Sequence, residues 1–369
     1  NRFREELHAG KSVEDSIVNT VNTAGKTVFY SGLTVVLTLV ALIMFPQMFL
    51  KSFGYAGVTV VIMAVLGALI ALPALLAMLG NKIDNVVVRK SAITPKEDGR
   101  WADTARLVMR KPISVVVLSL IILTVLAAPI KNIVFSQVDS RVLPASNSAA
   151  TAARVILERF PGQEGNPIEI IVPKGAFMGT QINQYTTEIA QVPGIVRIGD
   201  SQVSGDDVRV TAIHSMGPRT PEAQELITKV RAIRVPEGTL IGGVAADYTD
   251  TQNGIAATLP WALLWIAIGV MLLLFVFTGS IILPIKAVIL NVLSLAATLG
   301  AVTWIFVEGH LKWLVGDFTV TGAVDTGSII LIAVVTFGLS MDYEVFLLSR
   351  IKEEHEAGKS NIESVATGL

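Results

Sequence analysis

Asp342 is the residue of this chain best placed to do chemistry, because it is an ionisable group inside the apolar run from Thr326 to Ser349. A carboxylate at the centre of a membrane span costs about 2.5–3.5 kcal/mol on insertion scales, so such residues face a bundle interior, water or a partner. Removal from water favours the neutral acid, which lets such a group take up a proton and release it again. Tyr343 carries a hydroxyl able to donate to a carboxylate on a neighbouring helix. Phe346 follows Asp342 by one helical turn and so shares its face. Tyr30 and Ser31 are polar groups in an earlier apolar run. Ser31 can approach the small residue Gly338 and bond across helices, or bond back to its own helix. The competing reading of Asp342 is a hydrated carboxylate near Arg350 at the membrane surface. Glu344, closer still to that end, is expected to face water or a partner, and Lys286 to anchor its span at the interface.

Other chemistry finds little support. The chain has no cysteine, which removes disulfides and thiolate sites, and its four histidines are scattered at His8, His214, His310 and His355 without metal-ligand spacing. No nucleophile–base set or zinc-protease motif occurs, so neither an enzyme nor a cofactor is expected. The net charge of −1 is silent on nucleic acid, and no basic face is dense enough to suggest it. His310 and the Asp206-Asp207 pair read as solvated.

The elements that must position Asp342 follow from composition. Of the 369 residues 52% are hydrophobic and only 16% charged, against about a quarter charged in soluble domains. The missing charge is missing in windows long enough to cross a bilayer, which takes about 20 helical residues. These windows run from Thr27 to Leu50, Ser52 to Gly80, Pro112 to Ile130, Leu259 to Ile281, Ala287 to Val307 and Thr326 to Ser349, the first two separated by little more than Lys51. Basic residues mark the inner side of a membrane. Lys82, Arg89, Lys90, Lys96, Arg100, Arg106, Arg110 and Lys111 place the loop 81–111 in the cytoplasm, and counting spans puts segments 1–26 and 350–369 on the same side. Trp101, Ala105, Val108 and Met109 suggest an interfacial helix within that loop. The organisation expected is spans in 27–80, 112–131 and 255–349 around an external domain at 132–254.

That domain is polar and punctuated by Gly and Pro. Ser148 can cap a helix with an apolar face of Ala149, Ala152, Ala153, Ile156, Leu157 and Phe160. A strand at Ile168–Val172 precedes a helix at Ile182–Gln191, a short strand at Ile195–Ile198 and an alternating strand at Val208–His214. Thr220-Pro221-Glu222 starts another helix, and residues 238–244 supply a last strand. The order strand, helix, strand, strand, helix, strand is that of a ferredoxin-like α+β sandwich.

An internal repeat links the two ends. Residues 1–12 align with 349–360 at constant offset, with seven identities in twelve pairs, Arg2/Arg350, Glu5/Glu353, Glu6/Glu354, Ala9/Ala357, Gly10/Gly358, Lys11/Lys359 and Ser12/Ser360. Such similarity points to a duplicated membrane unit. With no initiator Met, the chain is expected to be an internal piece of a longer protein that starts just after a span equivalent to its own last one.

Gly338-Leu339-Ser340-Met341-Asp342-Tyr343-Glu344-Val345-Phe346-Leu347-Leu348-Ser349-Arg350 resembles the tenth-span signature of the MMPL family, in the resistance-nodulation-division (RND) superfamily. Thr27 to Thr34, Ala71 to Leu76, Leu143-Pro144-Ala145 and Arg159-Phe160-Pro161-Gly162 fit the same family. The resemblance implies spans five to ten of a twelve-span protein of the inner (plasma) membrane, with 132–254 as its second periplasmic porter domain. It implies export of lipids or other hydrophobic molecules driven by protons, through Asp-Tyr pairs of which Asp342 and Tyr343 are one, with Phe346 lining the central cavity and Tyr30, Ser31 and Gly338 as further candidates for its lining. The other pair would fall seven residues before Asn1. The expected partners are membrane lipid, a hydrophobic or lipid substrate and protons. A drug efflux pump of the same superfamily, a SecDF-like accessory of protein translocation and a sensory or scaffold protein remain alternatives.

Overall fold

The computed structural model describes residues 2–84, 100–144, 146–160, 162–316 and 318–368. Arg89, Lys90, Lys96, Ala145 and Pro161, used above, lie outside them, as does the side chain of Trp101. In chain order the elements are α1 (Arg2–His8), α2 (Val13–Thr20), α3 (Lys26–Met44), α4 (Met48–Leu66), α5 (Leu72–Leu79), α6 (Arg100–Arg110), α7 (Pro112–Ala127), β1 (Phe135–Ser136) and α8 (Ser148–Arg159). There follow β2 (Ile168–Val172), α9 (Gly179–Ala190), β3 (Ile195–Ile198), β4 (Gln202–Ser204), β5 (Asp207–His214), α10 (Pro221–Ala232) and β6 (Leu240–Gly242). The chain closes with α11 (Val244–Thr278), α12 (Ile282–Val302), α13 (Lys312–Val315), β7 (Val324–Asp325), α14 (Thr326–Glu356) and α15 (Asn361–Gly368). Two compact units result, one of residues 1–132, 260–303 and 329–369, the other of 133–259 and 304–328.

The first unit is helical. Among the described residues six helices are long and apolar enough to cross a membrane: Val13–Met44, Met48–Asp84, Pro112–Asn132, Val244–Thr278, Ile282–Val307 and Thr326–Glu356. Several outrun the apolar windows because helix and apolar stretch need not end together. The first hairpin turns at Phe45-Pro46-Gln47, not at Lys51, which sits inside α4. Phe45 is extended (φ −68°, ψ 143°), as the residue before a proline prefers. The physical break is therefore the proline rather than the charge. A π-helical turn at Gly67–Ala71 leads into Pro73, and widening the helix there accommodates a ring that would clash with the carbonyl four residues back. Further along, α7 packs along α12, and Ala105 of α6 is buried against Ala366 of α15.

The repeat reappears atom for atom. At the end of α1 the Gly10 N–H donates to Leu7 O and the Lys11 N–H to Glu6 O; at the end of α14 the Gly358 N–H donates to His355 O and the Lys359 N–H to Glu354 O. Gly10 and Gly358 take φ of 84° and 93°, the left-handed conformation glycine adopts at helix C-termini. Lys11 Nζ lies 2.6 Å from Glu6 and Lys359 Nζ 2.8 Å from Glu354. Ser12 and Ser360 then accept from the Asp15 and Glu363 N–H groups to start α2 and α15.

The second unit is a mixed α/β body. Its main sheet is antiparallel with strand order β3-β5-β2-β6, β4 pairing with β5. Ile168, Ile170 and Val172 on alternate positions of β2 are fully buried beneath Ile182, Tyr185 and Ile189 of α9 and Leu226, Ile227 and Val230 of α10. Thr220 caps α10 through its side chain, with Pro221 in the first turn. Asn147, not Ser148, caps α8: its side chain accepts from the Ala149 N–H at 2.9 Å. The expected apolar face of α8 is not a core face, since Ile156, Leu157 and Phe160 are all exposed. Asp207 is not simply solvated; it accepts from the Lys174 N–H at 3.0 Å, in a turn where Lys174 has φ 55°. Likewise His310 stacks on Trp304 with ring centroids 4.7 Å apart. A short parallel ladder of β1 and β7 is tied down by Thr326, whose hydroxyl donates to Ser136 O at 3.0 Å and accepts from Gln252 Nε2 at 2.9 Å.

Candidate functional site

A polar seam runs between α3 and α14. Both helices are largely apolar within the span, and polar side chains meet between them: Thr27 and Ser31 of α3 with Ser349 and Asp342 of α14, and Thr38 of α3 against Gly338. Thr27 Oγ1 and Ser349 Oγ are 2.7 Å apart. The Ser31 hydroxyl donates to Asp342 Oδ1. Thr38, fully buried, occupies the space a side chain on Gly338 would need. Residue numbers rise along α3 as they fall along α14, so the helices pack antiparallel. Their hydrogen bonds follow from the small side chains, which allow close approach. Thr34 and Thr38 spend their hydroxyls on Tyr30 O and Val35 O of their own helix, so only Thr27 and Ser31 reach across.

At the Arg2 and Arg350 end of the seam a cavity of about 830 Å³ opens, lined by both polar and apolar groups. Thr27, Tyr30, Phe346 and Ser349 form its inner wall and Arg2 and Glu353 part of its rim. Arg2 bridges to Glu353 at 3.0 Å, so the two copies of the repeated segment are joined to one another. Glu6, outside the spans, is held below the usual carboxylate range by the hydrogen bond from Lys11, with the Arg2 guanidinium adding to it.

The candidate residues therefore occupy distinct places. Asp342 and Ser31 meet directly, and Phe346 and Tyr30 face the polar cavity, the Tyr30 ring resting on Phe277 at 5.1 Å. Gly338 lies in the seam against Thr38 rather than beside Ser31. Tyr343 points away from the seam, with 73% of its surface exposed. Tyr30 also borders a second, almost wholly apolar cavity of about 640 Å³ between α3 and α11, where Trp265 Nε1 donates to Leu37 O at 3.0 Å.

Glu344 departs from expectation. It faces neither open water nor a loop but α12, with Lys286 Nζ at 3.8 Å from Oε1 and Asn291 Nδ2 at 3.5 Å from Oε2. Lys286 is correspondingly more than an interface anchor. The signal available in the sequence was Asn291, an amide in the middle of an apolar span, which needs a partner as Asp342 does.

Comparison with known proteins bears on what this arrangement serves. The model of the MMPL family matches residues 1–115 and 141–369. The chain is 35% identical to the membrane protein SCO6666 of Streptomyces coelicolor, over all of this chain and 51% of that protein. It is 30% identical to the trehalose monomycolate exporter MmpL3 of Mycobacterium tuberculosis, over all of this chain and 43% of the exporter. It thus spans about half the length of these relatives or less. Among solved structures it is similar in fold to SecDF, a translocon-associated membrane protein from Thermus thermophilus, with TM-score 0.50 and 14% identity over the whole chain and 43% of that structure.

Proposed function

The chain belongs to the MMPL family and is a multi-pass membrane protein, and from that premise we propose that it is the central part of a transporter exporting lipids or other hydrophobic molecules, driven by the proton gradient. The single observation that carries this is Asp342, an acid within a membrane span that is bonded to Ser31 of a neighbouring span, one helical turn from Phe346 in the wall of the larger cavity. A carboxyl so placed binds a proton from one side, exchanges a hydrogen bond and shifts how α3 and α14 pack. Each elementary charge moved across the membrane supplies about 2.3 kcal/mol per 100 mV.

The six spans correspond in this reading to spans five to ten of twelve in the inner membrane, with loop 81–111 in the cytoplasm. The α/β unit is the second periplasmic porter domain. Its ferredoxin-like identity is supported by the strand order β6-β2-β5-β3 with α9 and α10 on one face. Tyr343 serves the partner Asp-Tyr pair on the other repeat copy, and Phe346 and Tyr30 line the proton-side cavity. The relative MmpL3 is named for exporting trehalose monomycolate, which supports an amphipathic lipid as the substrate class. The likeness to SecDF is one of fold and does not favour protein translocation.

Asp342→Asn keeps size and hydrogen bonding while fixing the neutral state. In the full-length protein it should insert and fold normally yet lose proton-gradient-dependent transport in proteoliposomes. Transport at the wild-type rate with unchanged gradient dependence would refute the reading.

A further inference from the structure

The proton-relay reading leaves one intramembrane carboxylate unused. Asp342 and Glu344 are two residues apart on α14, which turns their side chains about 200° from one another around the helix axis. One faces α3 and bonds Ser31; the other faces α12, beside Lys286 and Asn291. Asn291 is 5% exposed and its Nδ2 also contacts Ala287 O and Met341 Sδ, so the amide is fixed to its own helix and to the turn of α14 before Glu344. Met341 and Val345, which lie on the arc of α14 between the two acids, are fully buried. Thus α14 is gripped from two sides at one level, by a hydroxyl–acid contact and by an ion pair with an amide.

We infer that Lys286, Glu344 and Asn291 form a positioning cluster that fixes the rotation of α14 and so holds Asp342 against Ser31. The inference rests on Asp342 being the working group of the transporter, but its geometry stands apart from that. An ion pair in a low-dielectric setting loses most when one partner alone is removed, because the survivor is left charged and unsolvated. Without Lys286, Glu344 must take up a proton or turn toward water, and turning α14 drags Asp342 and Ser349 away from α3. Removing both charges takes away the reason to turn. With Glu344→Gln the side-chain oxygen that accepts from Asn291 is retained, so that contact still holds the helix. Electrostatic influence of Lys286 on Asp342 through space would change the acid's titration without moving the helix, so the rotation itself must be read.

The chain contains no cysteine, so Thr27→Cys with Ser349→Cys gives a reporter at the seam whose hydroxyls lie 2.7 Å apart. In full-length protein in native membranes, the rate of disulfide formation is measured for this pair alone, with Lys286→Met, and with Lys286→Met plus Glu344→Gln. Lys286→Met is expected to slow cross-linking at least fivefold and the added Glu344→Gln to restore it to within twofold. In parallel, labelling of Asp342 by an apolar carbodiimide, resolved from Glu344 by peptide mass spectrometry, is followed against pH in proteins with the native Thr27 and Ser349. The pH dependence of that labelling should change in Lys286→Met and return to that of the parent in the double variant. Cross-linking unchanged by Lys286→Met, or a double variant as slow as the single one, overturns the inference. Active Asp342→Asn protein would sink the proton-relay reading while leaving the cross-linking result to decide this one.

Discussion

Gly338 offers a test of the α3–α14 seam that does not touch the acid itself. A methyl at this position would fall well inside contact distance of Thr38 Oγ1. Thr38 cannot swing aside cheaply, because it is fully buried and its hydroxyl is bonded to Val35 O at 2.9 Å. Gly338→Ala must therefore push the helices apart or force Thr38 off its rotamer, and overpacking of this kind costs about 1–3 kcal/mol. Intrinsic helix propensity works the other way by about 1 kcal/mol. The net expected loss of stability is about 0–2 kcal/mol, with a larger loss of transport, since Gly338 lies one turn before Asp342 and spreading the seam separates Asp342 from Ser31. Thr38→Ala deletes the obstructing oxygen, so the double variant Thr38→Ala/Gly338→Ala should recover most of both, giving a coupling of about 1 kcal/mol or more. Thermal or denaturant unfolding of the full-length protein in detergent, alongside transport in proteoliposomes, reads the cycle. Additive effects, or a Gly338→Ala protein as stable and active as the wild type, would show that the seam is not packed as described.

Two other outcomes are expected. Cysteines introduced at Ser91 and Ser201 and probed in intact cells with an impermeant thiol reagent should label only at 201; labelling only at 91 would reverse the proposed topology. His214 is buried with Nε2 3.0 Å from Asn166 O, and burial holds its pKa below the usual histidine value. Because the unfolded chain then binds the proton first, this contribution to stability is complete above about pH 6.5 and is lost as pH falls toward the folded value. Hydrogen exchange of β5 should therefore quicken between pH 7 and 5 beyond the change in intrinsic exchange, and His214→Gln should flatten that dependence; an equally steep profile in the variant would assign it elsewhere.

The parts legible in the sequence are those set by local rules. Strands β2 and β3 were readable to the residue because alternation and flanking Pro-Gly turns mark them, and Thr220-Pro221 announced α10 through capping chemistry that does not depend on the rest of the fold. The ends of the spans were less legible. Lys51 looked like a loop residue, yet a lysine can reach the membrane surface from within a helix, whereas Pro46 cannot continue one. The exposed apolar residues of α8 show the same limit: a 3.6-residue period says that a helix has an apolar face, not what covers it. Contacts between elements far apart in the chain were the least accessible. Ser31 was readable as a polar group needing a partner, and Asp342 as an acid needing one, but spacing along the chain carries no information that the two meet. Glu344 misled for a related reason, since proximity to Arg350 suggested water and the decisive groups, Lys286 and Asn291, lie on a different span far upstream.

The repeated elbow argues that the two ends of the chain are built alike for a mechanical reason. Gly10 and Gly358 turn the chain sharply out of α1 and α14, and the Lys11–Glu6 and Lys359–Glu354 pairs lock each turn to the helix before it. The elbow after α14 belongs to the helix that bears Asp342, and Arg2 joins the two elbows through Glu353. Rotation of α14 is thereby resisted at its end by the other copy of the motif, as well as at the level of Ser31 and Lys286. Twelve residues of sequence similarity thus mark two ends of the chain that are built alike and joined through the Arg2–Glu353 bridge.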